Sequence, residues 1–254
     1  MKKFLQYLIL LIPFVACNDI VKSNKRGSIV PTEMLDTIKT FPPVGQTKPL
    51  IFETAFITGT TGKLNKETLS LSGINIGKIK LSGGRLVACD PMHIDEYGIP
   101  FTQQFAKGEY PVQLAIAKLD LEERVAFARI LLSDAPVVKW EFALQEGQTP
   151  LPLGLKKRHG YSVDAGVGIF IDEAAAKALD RKVVNDMDGA VFAALDKHYR
   201  NDWKYSLYPF GEHNLAAFTT GLGDGYYSTY IGFDAEGKPC RVITDFGLVE
   251  WTME

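Results

Sequence analysis

From Val137 to Leu144 the sequence reads VVKWEFAL: Val138, Trp140, Phe142 and Leu144 fall on one side of an extended chain, Lys139 and Glu141 on the other. Successive side chains of a strand point to opposite faces, so this alternation predicts a strand with one buried face. The same period returns in residues 68–89, where Gly73 and the Gly83-Gly84 pair predict turns or bulges. Residues 111–119 (PVQLAIAKL) and 124–132 (RVAFARILL) are apolar on both faces, as strands covered on both sides are. The short link Asp120 to Glu123 predicts that these two pair as a hairpin. Residues 214–220, 226–233 and 239–246 read as strands again. Their linkers, Gly221 to Gly225 and Asp234 to Lys238, carry hairpin-turn chemistry, so the simplest expectation is a three-stranded antiparallel meander.

Helical spacing interrupts the strands twice. Asp172 can cap EAAAKAL, with Glu173 near the positive end of the helix dipole. After Asp188, the run GAVFAALDKHY sets Val191, Ala194, Leu195 and His198 on one face. No strand–helix alternation supports a doubly wound sheet. The expected fold class is α+β and β-rich: antiparallel sheets packed as a sandwich with two short helices, one globular domain over residues 51–254. With 23% charged residues and 46% hydrophobic ones the chain has ordinary globular composition, and a formal net charge of −2 excludes a nucleic-acid binder held by bulk charge.

The N-terminus reads as a targeting signal. Lys2 and Lys3 precede an apolar run from Phe4 to Val15, about 18 Å of helix against a hydrocarbon core of roughly 30 Å. The run ends Phe14-Val15-Ala16-Cys17, which resembles a bacterial lipobox. Residues 1–16 are expected to be a lipoprotein signal peptide, with Cys17 acylated and anchored in the lipid bilayer. Residues 17–50 are expected to be the anchor and tether, stiffened by Pro31, Pro42, Pro43 and Pro49, with a short helix over 32–40 capped by Thr32. The expected location is the bacterial cell envelope, facing the periplasm, since no acidic cluster follows Cys17. Cys89 and Cys240 either pair in that oxidising compartment or stay buried as free thiols, and their apolar contexts favour the second. No Cys-x-x-Cys or His-x₃-His spacing indicates a structural zinc, and no cofactor is expected.

A series of strings carries a family resemblance: Val87-Ala88-Cys89-Asp90-Pro91, Phe101-Thr102-Gln103, Gly108-Glu109-Tyr110-Pro111-Val112, Glu123-Arg124-Val125-Ala126, Ser133-Asp134-Ala135-Pro136, Val163-Asp164-Ala165-Gly166-Val167-Gly168, Gly223-Asp224-Gly225 and Thr244-Asp245-Phe246. In this order, over about residues 75–250, the chain resembles the domain-of-unknown-function 4241 family. The resemblance implies no established chemistry. Its pattern has Trp and Cys where this chain has Leu222 and Ile169.

Three aspartates are the candidate ligand-binding residues. If residues 161–172 form one unbroken strand, Asp164 shares a face with Gly166 and Gly168, cleared for a ligand; the alternative is a glycine bulge with a turn-stabilising aspartate. Asp90 either holds an Asx-type turn before Pro91 or stands at a pocket mouth with Glu109. Asp224 sits in a glycine-rich link that lacks the Lys-Ser/Thr of a phosphate loop, which favours a turn. His93, with Asp95 and Glu96, is too local a cluster to read as a metal site, and no Gly-x-Ser-x-Gly motif supports a serine hydrolase. On 226–233, Tyr226 and Tyr230 share one face and Tyr227, Ile231 and Phe233 the other; an exposed aromatic face would suit a sugar ring or a protein partner. Two functions follow. The preferred one is a non-catalytic module for a small-molecule or protein ligand on a lipid anchor; the alternative is a carboxylate- or metal-dependent hydrolase using Asp90, Glu109, Asp164, Asp224 or Asp245. Convergence of three of these carboxylates would favour the enzyme, and scattered ones that cap backbone the module.

Overall fold

The computed structural model describes residues 49–251, so the signal peptide, Cys17 and the helix expected over 32–40 lie outside the described residues, with most of the tether. Strands form two antiparallel sheets. The larger runs β1 (Thr60–Leu64), β2 (Glu67–Leu81), β4 (Gly108–Leu119), β5 (Glu122–Leu131), β12 (Pro239–Asp245), β11 (Gly225–Phe233) and β6 (Lys139–Phe142), with β7 (Tyr161–Val163) also pairing to β11. The smaller runs β3 (Leu86–Cys89), β8 (Val167–Asp172), β10 (His213–Thr219) and β9 (Tyr205–Phe210). The β4–β5 hairpin forms as expected, turning through Asp120 at φ 43°, a left-handed conformation that aspartate tolerates.

The sheets stack face to face. Ile79, Leu114, Ile130 and Val242 of the larger interdigitate with Ala88, Phe170 and Phe218 of the smaller. Each outer face is apolar too, which explains the runs without alternation. Over the larger sheet, Phe127, Trp140 and Tyr230 are covered by Phe52 of α1 (Ile51–Thr54) and by Leu248 and Val249. The Phe52 ring lies 5.0 Å from those of Tyr230 and Trp251, a burial that contributes about 1.5–3 kcal/mol. Over the smaller sheet, Val87, Ile169, Ile171 and Leu215 meet Ala175 of α3 (Glu173–Ala178) and Val191, Phe192 and Leu195 of α4 (Ala190–Asp196). α3 and α4 are the two expected helices; α1 and α2 (Ile94–Tyr97) are single turns too short for a periodicity to reveal. No helix among the described residues is long and apolar enough to cross a membrane.

Buried polar groups tie the layers. Asp172 caps α3 through Ala174 N–H (3.0 Å) and also accepts from the Ser82 hydroxyl (3.1 Å) and the Gly83 and Gly84 amides (3.0 and 3.2 Å), pinning the β2–β3 turn. On the outer face of the larger sheet, Arg129 and Arg241 meet the Glu53 carboxylate at 3.6 and 3.3 Å. Burial lowers the Arg129 guanidinium to about 10, with Glu53 opposing.

Three expectations are corrected. The C-terminal meander does not form: β10 joins the smaller sheet beside β8 and β9, and only β11 and β12 pair. Gly221 to Gly225 is therefore a crossing between sheets rather than a hairpin turn. Gly73 is neither turn nor bulge: β2 runs straight through it, and glycine is needed there because a Cβ would lie 2.1 Å from the Phe56 carbonyl oxygen, while the bulge falls at Gly77, φ 120°. Residues 161–172 are not one strand. Gly166 (φ 61°) breaks them, sending β7 to the larger sheet and β8 to the smaller. The two crossings lie side by side, Thr220 N–H donating to Gly166 O at 3.1 Å. Cys89 and Cys240 are both buried and free.

Candidate functional site

The first crossing decides the fate of two candidates. Asp90 follows β3 and is fully buried, and its carboxylate accepts three backbone amides at 2.8 Å: Met92 on Oδ1, Asp164 and Ala165 on Oδ2. It holds the start of the Asp164–Gly166 break against the end of β3. Asp164 is brought beside it, but its own side chain points to solvent, 3.5 Å from Nε2 of His93, whose Nδ1 is 3.8 Å from Glu96. With β7 and β8 separated, Asp164 no longer shares a strand face with Gly166 and Gly168. Among the described residues no three His, Cys, Asp or Glu side chains are placed to hold a metal. Glu109 is exposed on β4, paired in register with Lys80, apart from both.

The second crossing opens a different place. Asp224 and Asp245 line one cavity of about 250 Å³ together with Arg158, Tyr226, Ser228 and Tyr230. Tyr226, Ser228 and Tyr230 alternate on β11 and so face one way, outward from the larger sheet. Ser228 stands in register with Asp245 of β12, which brings the hydroxyl and the carboxylate together as a cross-strand pair. Asp245 accepts Gly247 N–H and the Trp251 indole N–H, both at 2.8 Å. Part of the residue reaches water, and partial burial still raises its carboxyl above the usual carboxylate range against those two bonds and Arg158.

Around this floor the polar groups are sparsely partnered. The Ser228 hydroxyl, in a residue 3% exposed, makes no hydrogen bond among the described residues. The Tyr230 phenol is near enough to be eased by that hydroxyl but lacks hydrogen-bond geometry with it; burial and Asp245 push the phenol well up. Tyr227 donates to Gly223 O at 2.7 Å, bracing the crossing that presents Asp224. Arg158 comes from the loop before β7, its guanidinium 5.8 Å from the Tyr226 ring centroid. No ion pair joins Arg158, Asp224 or Asp245 to any described residue. Gly160 lets the loop approach closely, since a Cβ there would lie 2.2 Å from Tyr227 O.

A larger cavity, about 540 Å³, lies against β1 and Ile51, Lys63 and Trp251. Its polar lining is Thr54, Thr61, Lys63, Thr68 and Glu250, of which Thr54 already donates to the Leu50 carbonyl at 3.2 Å and Glu250 accepts the Asn65 backbone N–H at 2.7 Å, and size alone does not make it the site. Of the three aspartates expected to bind ligand, only Asp224 lines the smaller cavity, with Asp245 from the wider carboxylate set; Asp90 and Asp164 do not. Sequence reasoning missed Arg158 and Ser228. The basic run Lys156-Lys157-Arg158 was the one available signal for the first, and nothing marks the second before strand register is known.

No curated protein and no solved structure matches the chain. A family profile described as a protein of unknown function, DUF4241, matches residues 79–244, which include every strand from β3 to β11 and both aspartate crossings. The chain belongs to the DUF4241 family.

Proposed function

We propose that this chain is a non-catalytic module, carried on a lipid anchor at Cys17 in the bacterial cell envelope, that binds a small polar ligand between β11, β12 and the Phe246–Leu248 turn. The observation that supports it is the convergence of Arg158, Asp224, Asp245 and the unpartnered Ser228 hydroxyl on one cavity with tyrosine walls. Pockets of this kind fix a ligand through few, well-placed polar groups. Two features speak against catalysis. Asp90 and Asp245 serve backbone amides, and no three of the five candidate carboxylates meet.

A carboxylate-dependent hydrolase stays as the second reading, because Asp224 and Asp245 do face one cavity and the raised Asp245 suits a general acid. One screen separates the two. Ligand-observed NMR with mixtures of amino acids, sugars and nucleosides is expected to find a binder that Asp224→Ala and Tyr226→Ala both weaken while the binder stays chemically intact. Steady conversion of the binder, lost in Asp245→Asn, would replace the module with the hydrolase. Binding untouched by either alanine variant would remove this cavity as the site.

A further inference from the structure

The cavity walls carry charges of both signs that the fold does not close into ion pairs. Arg158 and the two aspartates line the same 250 Å³, yet no ion pair within 4 Å joins them to one another or to any described residue. Elsewhere the chain closes such pairs readily, as Arg85 does on Glu173 with two bonds of 2.6 Å. We infer that the cavity takes a small zwitterion, its ammonium on the Asp245 and Asp224 side and its carboxylate on Arg158, a free α-amino acid being the simplest member. The inference rests on the ligand-binding reading above and names its ligand class.

Each alternative leaves charge unanswered. A simple anion would satisfy Arg158 but face two carboxylates. A simple cation would satisfy the carboxylates and meet the guanidinium. A neutral sugar would supply hydrogen bonds and no charge, in a place where partial enclosure makes charge count more than in water. The zwitterion answers both signs, and the floor is built for its ammonium. Asp245 already has two neutral donors and is still held in a place that disfavours its charge, which an adjacent ammonium would reverse. The Ser228 hydroxyl, buried and unpartnered, lies across the ladder from Asp245 and can accept a second ammonium proton. The Tyr230 ring walls the same floor. Arg158 and Tyr226, 42% exposed, stand toward solvent, where a carboxylate would meet a planar donor fork. The cavity, about 250 Å³, has room for a free amino acid.

Calorimetric titration of the whole protein with four probes tests this: L-alanine, L-alanine methyl ester, N-acetyl-L-alanine and D-glucose. L-alanine is expected to bind at least about tenfold more tightly than either blocked form, with glucose silent. Arg158→Gln, at an exposed position, should weaken L-alanine to the level of the ester and leave the ester unchanged. Asp245→Asn should bring L-alanine down to the level of the N-acetyl form. Either blocked form binding as well as L-alanine would overturn the zwitterion, and so would no heat from L-alanine. If glucose, or another neutral or singly charged compound from the wider screen, binds with the Asp224 and Tyr226 dependence described above, the ligand class alone fails. If no compound shows that dependence, the binding module fails with it.

Discussion

Asp90 and Asp164 sit in similar aspartate-containing strings and play opposite parts. Buried Asp90 gathers three amides, while the Asp164 carboxylate lies in water. Asp164→Asn is expected to change stability by less than about 1 kcal/mol in a thermal melt, and Asp90→Asn to cost roughly 1.5–3 kcal/mol, since one charged acceptor is lost for several buried donors. Equal losses would contradict the division of roles. Asp245 makes a pH prediction. An acid raised in the folded state stabilises the fold below its unfolded value, about 3.9, and that contribution is lost as pH rises through the folded value. Asp245→Asn does not ionise, so its melting midpoint should match wild type in acid and exceed it at neutral pH. A variant less stable than wild type only at neutral pH would show instead that the two bonds from Gly247 and Trp251 outweigh burial. At this scale the sequence made Asp90 legible as an Asx turn, because the chemistry is local. Ser228 was illegible, because its meaning comes from register with Asp245 on another strand.

Among elements, α1 docks on the larger sheet partly through charge. Glu53 stands between Arg129 and Arg241, and Arg129 also lies 3.8 Å from the centre of the Phe56 ring. Glu53→Gln leaves two guanidiniums without their anion. The expected cost is about 2–3 kcal/mol, less than for a fully buried pair because water reaches a third of Glu53. Hydrogen exchange should quicken first at the Phe52 and Ala55 amides, bonded to Pro49 and Ile51 carbonyls. A loss spread evenly over β4 and β5 would mean that the charge supports the sheet rather than the helix. The strands were legible from alternation and the two longer helices from caps and spacing. The sheet to which each strand belongs was not. Glycine and aspartate serve a hairpin turn and a sheet crossing alike, and only Gly221 (φ 47°) and Gly223 (φ 114°) in place distinguish them.

For the whole molecule, the two-layer arrangement with apolar outer faces follows from runs such as Val167–Asp172, buried at every position. Such runs announce covering on both sides without saying what covers them; α3, α4 and the C-terminal segment do so here. The proposed anchor makes its own prediction. Replacing Cys17 with Ser should move the protein from the membrane fraction to the soluble fraction and remove acyl mass from the mature N-terminus. Unchanged membrane association with no acyl mass would contradict it.

A ligand in the proposed site would lie over the cavity floored by Asp245. Three tryptophans report on it, each in a different setting. The Trp251 indole N–H is bonded to Asp245 at 2.8 Å, the Trp203 indole to Glu123 at 3.1 Å, and Trp140 is buried under α1. In a proton–nitrogen correlation spectrum, titration with the bound ligand is predicted to shift the Trp251 indole signal progressively to saturation while Trp140 and Trp203 stay in place. Saturable binding that moves Trp203 or Trp140 and leaves Trp251 unmoved would contradict the account.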